Sequence, residues 1–128
     1  MAQPGNSKIV VLGLGGTIAG TAARAGDNIG YSAAQVGVEQ LLGSVETLPV
    51  VLAGRTLVVE QVAQVDSKDM RFGVWQDLAL RCAHWLSDPA VQGIVITHGT
   101  DTLEETAWFL QTVLQPDRPV VLTCAMRP

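Results

Sequence analysis

A chain of 128 residues, 48% apolar and 16% charged, can build one domain with a real core but not two. Its net charge of −4, with no Lys/Arg cluster, argues against a nucleic-acid surface, and no stretch reaches the ~18 consecutive apolar residues of a membrane span. Together with 13 glycines, this is the profile of a soluble α/β protein rather than a disordered one.

Residues 1–7 read as a polar tail, and residues 8–128 as one domain. Lys8–Leu14 is a continuous apolar run, as expected of a strand buried on both faces of a parallel sheet. Gly15–Gly20 follows as a loop. Thr21–Gly30 has no period and is expected to be mobile. Ser32 is placed to cap a helix running to about Val45, with Val38, Leu41, Leu42 and Val45 on one side. Thr56–Val65 is the second strand.

Ser67 and Asp69 lead into a helix from Met70 to Leu86, whose stripe is Val74, Trp75, Leu78, Cys82, Trp85 and Leu86. Asp88-Pro89 stops it, and Val91–Thr97 is the third strand. A further helix spans Leu103 to about Gln115 with Leu103, Ala107, Leu110 and Leu114 inward. Thr102 and Glu105 have the spacing of a capping box at its start. Pro116 and Pro119 precede the fourth strand, Val120–Ala125. Strands alternating with helices predict βαβ crossovers and a three-layer parallel sheet.

Cys82 and Cys124 lie in apolar runs and read as small hydrophobes rather than a disulfide or metal pair. Met1–Lys8 lacks a signal peptide's basic head and apolar middle, so the cytoplasm is expected, or the periplasm if a leader was removed. Met126-Arg127-Pro128 follows the last strand with no covering helix, which is expected of the front part of a longer protein.

Two loops carry the chemistry. Gly13-x-Gly15-Gly16 invites a nucleotide-binding reading, but the dinucleotide fingerprint fails at Ile18 and the phosphate-loop lysine position is Thr21. What remains is Thr17, a hydroxyl flanked by glycines at a strand's carboxyl end. The second loop is Thr97-His98-Gly99-Thr100-Asp101-Thr102. Its capping pair leaves Thr100 and Asp101 free, and a hydroxyl beside a carboxylate at a helix start suits a ligand with an ammonium and a carbonyl oxygen. His98 reads first as a strand-end residue packed under the loop, with a general-base role as the alternative. The loop Asp66-Ser67-Lys68-Asp69 adds a hydroxyl to the same crevice, where ligands of open α/β sheets bind.

Together these residues resemble the bacterial-type L-asparaginase/glutaminase family from Lys8 onward. Gly15-Gly16-Thr17-Ile18-Ala19-Gly20 looks like its first signature, and His98-Gly99-Thr100-Asp101-Thr102-Leu-Glu-Glu-Thr like its second. Ser67-Lys68-Asp69-Met70 and Ala125-Met126-Arg127-Pro128 follow in the expected order. The resemblance implies an asparaginase amino-terminal domain that acts on a small molecule, needs no cofactor or metal, and assembles as a dimer or tetramer. It implies catalytic roles for Thr17 as nucleophile, Tyr31 as the loop tyrosine that activates and shields it, and Thr100 as second threonine. Asp101 would hold the substrate ammonium and Ser67 its carboxylate, with Gly99 lining the same pocket; Lys68, a departure from the family's pattern, would either pair with that carboxylate or change the preference between Asn and Gln. The family's catalytic lysine lies past Pro128 and its carboxyl-terminal domain is absent, so the chain alone is expected to be inactive. Lys68 stands where many members have Gln, and Cys124 where Gly is common. The alternatives are a glutamine-dependent amidotransferase subunit and a non-catalytic folded fragment.

Overall fold

The computed structural model describes residues 6–22, 31–32 and 36–127, and for Thr17, Ala22, Tyr31 and Ser32 the backbone alone. The apolar run at the start forms strand β1, Lys8–Gly15, and its residues from Val10 to Gly15 are buried. Two short strands follow, β2 (Thr21–Ala22) and β3 (Tyr31–Ser32), paired antiparallel with Ala22 opposite Tyr31. Ser32 therefore belongs to a strand and is not the cap of the next helix, as the sequence suggested. The expected mobile segment falls largely outside the described residues.

Helix α1 is shorter than expected, Val38–Gly43, and starts after Gly37, which has no side chain to cap it. Gln61 supplies the missing acceptor: its Oε1 takes the Val38 N–H at 2.7 Å. A second short helix, α2 (Leu48–Leu52), has Pro49 in its first turn, where a missing N–H costs nothing. Sequence reading left this segment unassigned. Strand β4 spans Thr56–Val65, and a 3-10 turn at Ser67–Asp69 precedes helix α3, Phe72–Leu86. Strand β5 is Val91–Thr97, helix α4 is Leu103–Leu114, and strand β6 is Val120–Thr123. Gln115, in the left-handed region at φ 43°, ends α4 before Pro116.

The four long strands form a wholly parallel sheet in the order β4-β1-β5-β6. Val10, Leu12, Leu14, Ile94 and Ile96 form one core cluster with Leu78 and Cys82 of α3 and Leu110 of α4. Burial pushes the Cys82 thiol up to about 12, so it behaves as a small hydrophobe. On the edge of this face, Glu60 of β4 accepts from Arg81 at 2.6 and 2.8 Å and from Trp85 Nε1 at 2.7 Å. The Arg81 hydrogen bonds hold the Glu60 carboxyl below its ordinary range. Arg118 donates to the carbonyls of Leu86, Asp88 and Val91, tying the approach to β6 to the end of α3.

The opposite face carries α1 and α2. Gly13 lets α1 approach: a Cβ there would lie 2.5 Å from the Val38 Cβ. Ile9, Val11, Val95 and Val121 line an apolar groove on this side with Leu41, Leu48 and Leu52.

Candidate active site

The strand order reverses direction between β1 and β5, because β1 connects outward to β4 and β4 then crosses to β5 on the other side. Loops leaving the carboxyl ends of such neighbours diverge, and the crevice between them is where ligands of open α/β sheets bind. Thr17 and Thr100 leave those two strands.

Two glycines bring the loops together. Gly16, at φ 80°, donates its N–H to Val65 O at 3.0 Å and lies against Gly99. A Cβ on Gly16 would collide with the Gly99 backbone and sit 2.8 Å from the carbonyl carbon of His98. A Cβ on Gly99 would sit 2.7 Å from the Ser67 Cβ and 3.3 Å from the Gly16 Cα. The loops after β1, β5 and β4 thus touch through positions that only glycine fills. Thr17 follows one of these glycines and opens the 3-10 turn Thr17–Ala19, while Thr100 follows the other.

Ser67 is the hub on the β4 side and is 2% exposed. Its Oγ accepts the Asp101 N–H at 3.0 Å, and its carbonyl accepts the Thr102 hydroxyl at 2.9 Å. The expected capping box is not formed: the Thr102 hydroxyl donates to Ser67 O and accepts no hydrogen bond from the first turn of α4. Asp101 is exposed and Thr100 half-buried at the start of α4. Lys68 is exposed, and its Nζ lies 3.1 Å from Asp69 Oδ2. That hydrogen bond, with smaller attraction from Asp66 and Asp101, raises the Lys68 pKa.

His98 lies beneath the turn and is 0% exposed, as expected of a strand-end residue packed under the loop. Its Nδ1 is 2.7 Å from Gly99 O and its Nε2 2.7 Å from Thr106 Oγ1. Thr106, fully buried on α4, also accepts Trp75 Nε1–H from α3 at 2.8 Å. Burial pushes the His98 pKa down. Sequence reasoning passed over Thr106. The signal was available: it sits three residues after Leu103 and four before Leu110, a polar residue inside an apolar stripe.

The structure thus brings Ser67, Gly99, Thr100 and Asp101 into one crevice with the turn that begins at Thr17, and leaves Lys68 on its rim. Tyr31 is placed only by its backbone, in register with Ala22 on the segment that follows that turn. The side chains of Thr17 and Tyr31 lie outside the described residues.

A parallel, doubly wound sheet with its chemical groups gathered at the reversal of strand order defines an α/β protein built to act at its carboxyl edge. Residues 8–128 match the model of the asparaginase amino-terminal domain, "Asparaginase, N-terminal". The chain belongs to the asparaginase family. It is 43% identical over 122 residues to a glutaminase-asparaginase of Pseudomonas fluorescens biotype A, covering 95% of this chain and 33% of that protein. It is 42% identical over 120 residues to L-asparaginase 2 of Bacillus subtilis (strain 168), covering 94% and 31%. A solved probable cytoplasmic L-asparaginase from Campylobacter jejuni superposes with a TM-score of 0.88 at 40% identity, covering 95% of this chain and 36% of that one. The chain therefore spans about a third of the length of the relatives it matches.

Proposed function

We propose that the whole protein carrying this chain is an amidohydrolase that converts L-asparagine or L-glutamine to the acid and ammonia. The observation that carries this reading is the three-loop contact of Gly16, Gly99 and Ser67, which gathers the family's signature positions at the sheet's switch point. In the reaction the Thr17 hydroxyl oxygen attacks the side-chain amide carbon, the C–N bond breaks, and ammonia leaves with the transferred proton. Water then cleaves the threonine ester and restores the hydroxyl. Tyr31 activates and shields that hydroxyl. Thr100 acts as the second threonine, set beside a lysine of the whole protein.

Asp101 holds the substrate's ammonium. The Ser67 hydroxyl, whose oxygen already accepts Asp101 N–H, has its own proton to donate to the substrate carboxylate, with Lys68 as countercharge and Gly99 keeping the floor free of side chains.

The test is ammonia release from L-asparagine by the whole protein. Thr17→Ala and Thr100→Ala are each expected to lower turnover by at least about a thousandfold, as losing a member of a catalytic unit does. Unchanged turnover in both ends the reading. Residues 1–128 alone are expected to show negligible hydrolysis. The whole protein is expected to be a cytoplasmic homo-oligomer, a dimer or tetramer; a monomer by light scattering, or recovery in the periplasmic fraction, would correct that.

A further inference from the structure

The proposed chemistry needs Thr100 and Asp101 held still, and part of what holds their turn lies beneath it. The Gly99 carbonyl can only accept a hydrogen bond, so the His98 nitrogen facing it at 2.7 Å, Nδ1, carries the proton. In the neutral ring Nε2 is then an acceptor, and the Thr106 hydroxyl 2.7 Å away is its donor. The Thr106 oxygen in turn accepts Trp75 Nε1–H, a group that can only donate. Both ends of the chain are fixed in role, so every proton along it has one position. The first member is itself immobilised: the Trp75 ring stacks on Phe109 with centroids 5.1 Å apart and planes 18° from parallel.

We infer that Trp75, Thr106 and His98 form a one-way hydrogen-bond relay that aims the Gly99 carbonyl and thereby positions the Thr100–Asp101 turn. The carbonyl and the Thr100 N–H share one rigid peptide plane and point opposite ways, so fixing the first turns the second away from His98. The three are positioning residues, and none is assigned contact with substrate. What the turn does rests on the asparaginase reading; the relay itself does not.

Two measurements on the whole protein separate these. Ring 15N spectra at neutral pH are expected to show His98 as a single Nδ1–H tautomer, with the exposed His84 as internal reference. Thr106→Val keeps the shape and deletes the donor. It is expected to keep the Nδ1–H tautomer, which the Gly99 carbonyl holds, but to move the Nε2 signal to that of an unbonded acceptor and to lower kcat/KM for L-asparagine about tenfold, the rate equivalent of one buried hydrogen bond left unmade. Thr106→Ser restores the hydroxyl and is expected to stay within about twofold of the parent, and so is Ile94→Val, a core deletion that leaves the relay intact. If Thr106→Val does not fold, Trp75→Phe, which removes the indole N–H together with its five-membered ring, is expected to move the Nε2 signal in the same direction by weakening the Thr106 donor. An Nε2–H tautomer in the parent, or a Thr106→Val protein with unchanged kcat/KM and an unchanged Nε2 signal, overturns the relay. A parent without asparaginase activity overturns the functional reading instead, and the tautomer measurement still decides the relay.

Discussion

The two faces of the sheet are made from the same strands and meet different neighbours. On one, Val10, Leu12, Ile94 and Ile96 are sealed beneath α3 and α4. On the other, the intervening residues Ile9, Val11, Val95 and Val121 line an open groove, where Val121 is 51% exposed and Val51 of α2 72% exposed. The groups beneath the Thr100–Asp101 turn come from the sealed side: His98 continues the alternation of Ile94 and Ile96, and Trp75 and Thr106 come from the helices above them. Composition would not separate the faces, since both are rich in Val, Ile and Leu. Alternation along the strand separates them, and it places the site's support where the packing is dense.

The widest gap between the faces should appear in unfolding. Leu78→Ala opens a cavity in the sealed core and is expected to cost about 3 kcal/mol by urea denaturation, whereas Val51→Ala should stay within about 0.5. Equal losses would break the comparison. Gly99→Ala tests the seam between the loops. Its Cβ must displace Ser67, which lies 2.7 Å away, at an expected cost of about 2 kcal/mol, with a rise in KM as the Ser67–Asp101 bond loosens. Unaltered KM would show that the crevice does not depend on that contact.

The smallest effect is on pH. Burial lowers the His98 pKa in the folded state, so below 6.5 the unfolded chain takes up a proton that the native one refuses. Stability should decline from pH 6.5 downward until the lowered native pKa is passed, and level off there. His98→Gln should lack this part of the slope, and a parent whose stability does not change across that window would contradict it.

Much of this was legible in the sequence, and the failures have physical causes. The strand runs were read closely; Thr56–Val65 and Val91–Thr97 coincide with β4 and β5, because continuous β-branched segments leave few alternatives. The crevice was expected from loops at the carboxyl ends of parallel strands, whereas the strand order that locates it depends on the fold. The two caps were misread because a capping pattern records only local partners, while Ser32 pairs with Thr21 in the β2–β3 ladder and the Thr102 hydroxyl donates to Ser67 O. Helix α2 escaped notice because five residues with a proline show no helical period. Thr106 was passed over because a hydroxyl inside an apolar stripe declares itself only when its partners, Trp75 and His98, are in place.

The bare contact of Gly16 on Gly99 means that no side chain serves as a spacer between the two threonine loops. Their separation is inherited from the hydrogen-bonded spacing of β1 and β5, roughly 4.8 Å, and the sheet acts as a fixed ruler for the pair. Redesigning substrate preference would therefore have to proceed through what hangs on either rim, since the gauge between the rims is set by the backbone and has no residue to exchange.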